Sequence, residues 1–236
     1  MQLNQKKTKS LIFNFTKDKQ FTTNIQLKGE TVEIVKESKL LGVIITNDLK
    51  WDKNTNHIVR NANKVMRMLH IASKFTRNKS HLVQIFKTFI RSRLEYASTL
   101  WHSSLTLSNR NDIERVQKAA MKVIFKSDYQ GYEQSLKILK MEKLQDRRER
   151  LGLNLAKKCL KHEKLNDMFP KKSNESSIKI RDRERYHVNQ AKTERYRNSA
   201  IPFLQRKLNQ SVKNERKQFK ALLQVNCVSH VDSITS

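Results

Sequence analysis

The sequence predicts a mainly α-helical fold with a small antiparallel β portion at the N-terminus, and three observations carry that expectation. The 236 residues include only 4 Gly and 2 Pro, so turn signals are sparse and long helices are favoured. After a polar basic stretch, Leu11, Phe13 and Phe15 recur at every second position, a period-two pattern suited to a half-buried strand. From about Asp52 onward the apolar period lengthens to that of an amphipathic helix, roughly 3.6 residues.

Taken in order, residues 21–27 and 31–36 read as strands joined through Lys28, Gly29 and Glu30, with Gly29 supplying the positive φ that a tight hairpin needs. KLLGVIIT, residues 39–46, is a continuous apolar run expected to form a buried strand. Ile58, Ala62, Val65 and Leu69 mark a first helix ending before Asn78 and Lys79. Leu82, Ile85, Phe86, Phe89, Ile90, Leu94, Ala97 and Trp101 mark a second, read as core along its whole length. Ser108 is the expected N-cap of a third, whose inner face includes Ile113, Val116, Ala120, Val123 and Ile124.

Gly131 marks a break, after which residues 132–170 lead into a long cationic helix. Leu144, Arg148, Leu151, Leu155 and Cys159 recur at spacings of three and four, an apolar stripe interrupted by one arginine. Arg147, Arg150, Lys157, Lys158, Lys161 and Lys164 crowd the remaining arc. Such an arc is either a solvated helix face or the basic wall of a nucleic-acid channel. Beyond Pro170 come a polar linker and a basic tail, with no strong periodicity near the C-terminus. The expected division is therefore a β portion over residues 1–50, a helical region over 51–170 and a basic, partly disordered tail over 171–236.

Charge is the outlier of the composition. Lys and Arg number 49 against 22 Asp and Glu, a formal +27, which opposes compaction unless a polyanion offsets it. RNA or DNA is the implied partner. The sequence has no apolar run of about 18 residues, the length that would suggest a membrane span, and no signal-type N-terminus. A soluble protein of the nucleus or cytoplasm, without a membrane partner, is expected. Cys159 and Cys227 lie far apart and outside any C-x-x-C pattern, so a zinc knuckle and a disulfide framework both lack their ligands.

Catalytic sets are equally hard to place. There is no Gly-rich phosphate loop, no Ser-His-Asp or Cys-His arrangement and no Asp-Asp pair, and no small-molecule substrate is identifiable. Asp48 and Asp52 are four residues apart, but they read as a loop and a helix start rather than a metal pair. His162-Glu163 lacks the second histidine of a metalloprotease helix.

Several short motifs, in a consistent order, resemble the C-terminal part of non-LTR (LINE-like) retrotransposon reverse transcriptases. YEQSLKILKMEKLQDRRERLGL followed by a basic helix and MFP is the most specific. Asn4, Lys7 and Thr8 before a strand resemble the palm segment that follows the catalytic aspartates, where the lysine is thought to assist the leaving pyrophosphate. Leu41 and Gly42, with Asp48, Leu49 and Trp51 at the right spacing, resemble the primer-grip element, although Leu40 stands where the family usually has an aromatic. Leu94, Tyr96, Ala97, Ser98 and Trp101 match an L-x-Y-A-S-x-x-W signature, and Ile113, Glu114, Gln117 and Ala120 an I-E-x-x-Q-x-x-A pattern. RDRERYH and TERYRNSAIPFLQRKLN are similar to the family's terminal segment.

The resemblance spans residues 3–210 and implies the end of a palm, a primer-grip hairpin and a helical thumb-like bundle, gripping a template-primer duplex. The family's polymerase uses Mg²⁺ held by aspartates that would lie upstream of residue 1. It leaves three functions open: a polymerase fragment inactive by itself, a stand-alone domesticated RNA- or DNA-binding protein, or a non-functional remnant. On the residues alone, Lys7 reads better as a lysine in a cationic loop, and no other residue is a catalytic candidate.

Overall fold

The computed structural model describes residues 8–15, 25–27, 29–171, 186–188 and 190–231, and it is mainly helical with a few small strands. Two compact units make up the chain, Met1–Arg147 and Arg148–Ser236.

In the first unit β1 (Lys9–Leu11) pairs with β4 (Glu33–Val35) in parallel, β2 (Gln26–Leu27) with β3 (Glu30–Thr31) antiparallel, and β5 (Glu37–Leu40) with β6 (Val43–Thr46) antiparallel. The β portion is thus mixed rather than wholly antiparallel. The long connection between β1 and β4 is what allows a parallel pair, because a tight turn cannot join parallel neighbours. Gly29 sits at φ +84 in the β2–β3 turn, as its position in the sequence suggests. KLLGVIIT is a hairpin, not one buried strand: Leu41 (φ +46) and Gly42 (φ +87) form a two-residue turn between Leu40 and Val43. Two successive positive φ angles are the requirement of a type I′ turn, and apolarity gives no warning of it.

α1 (Asp52–Phe75) buries Ile58, Ala62, Met66 and Leu69. α2 (Lys79–Ile85) is capped by the Asn78 side chain, which accepts from Ser80 N at 2.9 Å. The helix then widens into a π turn, Phe86–Arg91, before α3 (Ser92–Glu95) and, past Ala97 at φ +50, α4 (Ser98–Trp101). Leu82, Phe86, Ile90 and Leu94 are all buried. A spacing of four drifts around a 3.6-residue helix, and the wider π turn holds the row against the core. The same turn carries Phe89 outward to 43% exposure, correcting its expected place in the core, whereas Phe86 and Trp101 are fully buried.

A 3₁₀ turn at His102–Ser104 leads to α5 (Leu107–Phe125). Its cap is Thr106, which accepts from Asn109 N at 3.2 Å, rather than Ser108. Ile113, Val116, Ala120, Met121 and Ile124 join the core. Full burial of each large apolar side chain stabilises the unit by roughly 1.5 to 3 kcal/mol. Past a second 3₁₀ turn, Lys126–Asp128, Gly131 at φ +120 opens α6 (Tyr132–Ile138).

α7 (Leu144–Cys159) begins in the first unit and continues into the second. Its buried positions are Leu144, Arg148, Gly152, Ala156 and Cys159, while Leu155 is 40% exposed, so the stripe is kept at its ends and displaced by one residue at Leu151 and Leu155. Gly152 is the reason. A Cβ there would lie 3.1 Å from Leu204 Cδ2, so the glycine lets α9 (Ala200–Val231) approach closely. Ala156, Cys159, Phe169, Tyr186, Leu204 and Leu208 form the core of this unit.

Backbone clamps complete it. Asn209 donates to Tyr186 O at 3.0 Å and accepts from Tyr186 N at 2.9 Å, and Gln205 donates to Met168 O at 3.0 Å. Tyr186 also bridges Lys171 in antiparallel fashion, and α8 (Glu194–Arg197) is capped by Thr193. The described part of the expected tail is therefore built into a folded unit.

Candidate nucleic-acid interface

Two motifs singled out in the sequence meet at the β5–β6 turn. Tyr96 Oη donates to Leu41 O at 2.8 Å across 55 residues of chain. A Cβ on Gly42 would lie 3.3 Å from the Tyr96 ring, so the turn needs glycine both for its φ and for this approach. Trp101 Nε1 donates to Tyr96 O at 3.1 Å, which fixes the tyrosine from below. The result is an outward tip with Leu40, Leu41 and Tyr96 all exposed. Lys7 lies outside the described residues.

Glu114 and Gln117 also acquire a definite role. Tyr132 Oη donates to Glu114 Oε1 and accepts from Gln117 Nε2 at 2.8 Å. Gln117 Nε2 also reaches Glu142 O at 3.1 Å, and the same Glu114 oxygen accepts from Leu144 N at 3.2 Å. A carboxylate on the first N–H groups of a helix offsets its positive end. Burial, reinforced by the Glu114 carboxylate, raises the Tyr132 phenol well above its ordinary pKa of 10.0. This network fixes where α7 begins.

The cationic residues of α7 divide into two groups. Arg147 Nε lies 2.9 Å from Glu95 Oε2, and Arg91 Nε lies 3.7 Å from the same oxygen; the Glu95 side chain is only 9% exposed. Arg147 is thus held in a largely dry ion pair. Lys157 pairs with Glu215 at 3.2 Å on the surface, and Arg150 is exposed beside Glu149 and Lys207, themselves paired at 2.6 Å. Lys158, Lys161 and Lys164 are exposed and have no acidic partner among the described residues. The last two lie in the turns after the helix ends at Cys159, before a 3₁₀ turn at Asn166–Met168.

The outer face of α1 escaped the sequence reading. Residues 53–94 contain ten Lys or Arg and no Asp or Glu, a signal hidden by attention to the apolar period. Arg60, Lys64, Arg67 and Lys74 are all exposed and fall within an arc of about 80° at 100° per residue. Met68, Ile71 and Phe75 flank them, also exposed, with Phe75 at 86%.

Among the described residues, no group of three His, Cys, Asp or Glu is placed to hold a metal ion. Asp48 accepts from Thr46 Oγ1 at 2.7 Å and Lys50 N at 3.1 Å, and the Thr46 bond leads in lowering its pKa below 3.8. Asp52 instead accepts from Asn109 Nδ2 at 2.7 Å, so the two carboxylates are engaged separately. Among the described residues no helix is long and apolar enough to cross a membrane. Comparisons with protein-family models, curated proteins and solved structures return no match to this chain.

Proposed function

We propose that this chain is the C-terminal part of a non-LTR retrotransposon reverse transcriptase, comprising the end of the palm, a primer-grip hairpin and a thumb-like helical region. It binds template-primer RNA and DNA inside the cell and does not polymerise by itself. The observation that carries the binding is the +27 charge, together with exposed cations that no described carboxylate neutralises, Lys158, Lys161 and Lys164 among them. Cations so placed suit phosphate contacts, which position a duplex without reading its sequence. The family assignment is supported by the ordered motifs, two of which share the Tyr96–Leu41 hydrogen bond.

The absence of an Asp-Asp pair from the sequence is why no polymerisation is expected. Primer extension with the purified chain, template, nucleotides and Mg²⁺ or Mn²⁺ should give no product, and extension that co-purifies with the protein would overturn this part. Fluorescence anisotropy with an RNA–DNA hybrid tests the rest. If about 6 to 10 phosphates are engaged, affinity falls by roughly 10³ to 10⁵ between 50 and 200 mM salt. Replacing Lys158, Lys161 and Lys164 with alanine should flatten the slope of log affinity against log salt by about one unit per lost contact. No binding to the hybrid at low salt would sink the proposal.

A further inference from the structure

The outer arc of α1 combines two properties that duplex binding alone does not explain. Its four cations suit a phosphate backbone, and at about 1.5 Å per residue Arg60 to Lys74 spans about 21 Å along the helix. The flanking Met68, Ile71 and Phe75 project apolar surface into solvent, Phe75 most of all. A ring can stack only on a base whose face is open, and a duplex offers such faces only at its ends. An unpaired strand offers one at every nucleotide.

We infer that this face of α1 is a binding site for single-stranded nucleic acid, with Arg60, Lys64, Arg67 and Lys74 on the phosphates and Phe75 as the stacking platform for an unpaired base. The inference rests on the nucleic-acid reading above and deepens it by naming the strand state of the ligand. Charge complementarity selects the occupant: the arc holds no acidic residue from Lys53 through Phe75. A duplex would meet the cations and leave the ring in water.

The test uses the full chain and a 12-nucleotide oligouridylate, which forms no duplex, beside an RNA–DNA hybrid. Phe75→Ala should weaken oligouridylate binding about 5- to 150-fold, the range for losing one stacked base, and change hybrid binding less than about twofold. Phe75→Tyr should restore it. Because Phe75 is exposed, each variant should melt as the wild type does. Replacing the four cations with glutamine should lower the single-strand salt slope by about 3 units, at about 0.7 per phosphate.

Equal losses on strand and hybrid, or no loss on either, would overturn the inference while leaving the proposed function standing. A wild-type chain that binds neither probe would overturn both. Phosphatidylserine vesicles and polyglutamate distinguish the other occupants. Phe75-dependent binding to either, with oligouridylate binding indifferent to Phe75, would assign the face to a membrane surface or an acidic protein instead.

Discussion

α1 and α7 look alike as sequences, each amphipathic and each rich in Lys and Arg, yet the fold treats their charges differently. α1 carries Asp52 in its first turn and no further acid; Lys53 near its start pairs with Glu37, and Arg60, Lys64, Arg67 and Lys74 beyond it face solvent. α7 carries Asp146 and Glu149 itself, and two of its cations find carboxylates elsewhere: Arg147 on Glu95, Lys157 on Glu215. Cation density along a helix therefore does not locate a phosphate-binding face. What decides is whether a carboxylate reaches the cation, and how dry the pair is. Lys157–Glu215, with a 63% exposed glutamate side chain, is worth at most about 1 kcal/mol and can exchange its partner. Arg147–Glu95 is not exchangeable in the same way.

The comparison breaks first on register, where the largest effect is expected. Leu69 on α1 is fully buried and Leu155 on α7 is 40% exposed. Leu69→Ala should cost about 2 to 5 kcal/mol in a urea melt, through lost transfer energy and the cavity left behind. Leu155→Ala should cost less than about 1 kcal/mol. Equal costs would restore the stripe through Leu151 and Leu155 that the spacing alone suggests.

That displaced stripe shows what the sequence could and could not disclose. Ile58, Ala62, Leu69, Ile113 and Ala120 were legible because a 3.6 period places them on one face without regard to partners. Three features were not. The π turn that exposes Phe89 depends on core shape around a row spaced by four, and the Gly152 face depends on Leu204, 52 residues away. The Tyr132–Glu114–Gln117 network depends on three polar side chains meeting across two helices. At the candidate site, Leu41 and Gly42 were legible as a pair but not their hydrogen-bonded neighbour Tyr96. The α1 arc was legible in principle, as an acid-free run.

The next prediction concerns the dry ion pair. Arg147→Ala should cost about 1 to 3 kcal/mol, because it leaves the largely buried Glu95 carboxylate with the more distant Arg91, at 3.7 Å. The salt slope of hybrid binding should stay unchanged. Lost affinity without lost stability would place Arg147 among the phosphate ligands and erase the contrast with Lys158.

A more modest loss than at Arg147 is expected at the start of α7, where a polar network does what apolar packing does along α1. Tyr132→Phe removes a donor to Glu114 and an acceptor for Gln117, while Leu144 N keeps its bond to Glu114. The cost should be about 1 to 2 kcal/mol near neutral pH. The pH dependence is more diagnostic. Burial, with Glu114 beside it, raises the Tyr132 pKa in the folded chain above 10.0, the ordinary value that the unfolded chain retains. Below pH 10 both states hold the phenolic proton and it contributes no pH dependence. Above pH 10 the unfolded chain releases the proton while the folded chain keeps it, so unfolding is favoured and stability falls as pH rises. The extra slope is at most one proton's worth, about 1.4 kcal/mol per pH unit, and less for a side chain that keeps some water contact. Tyr132→Phe cannot make this contribution, and the lysines that titrate in the same range are common to both proteins. Urea melts of the two between pH 9 and 11 should therefore converge as pH rises, the wild type losing its lead. Parallel curves would mean that Tyr132 ionises freely and that the α7 start is held by something other than this network.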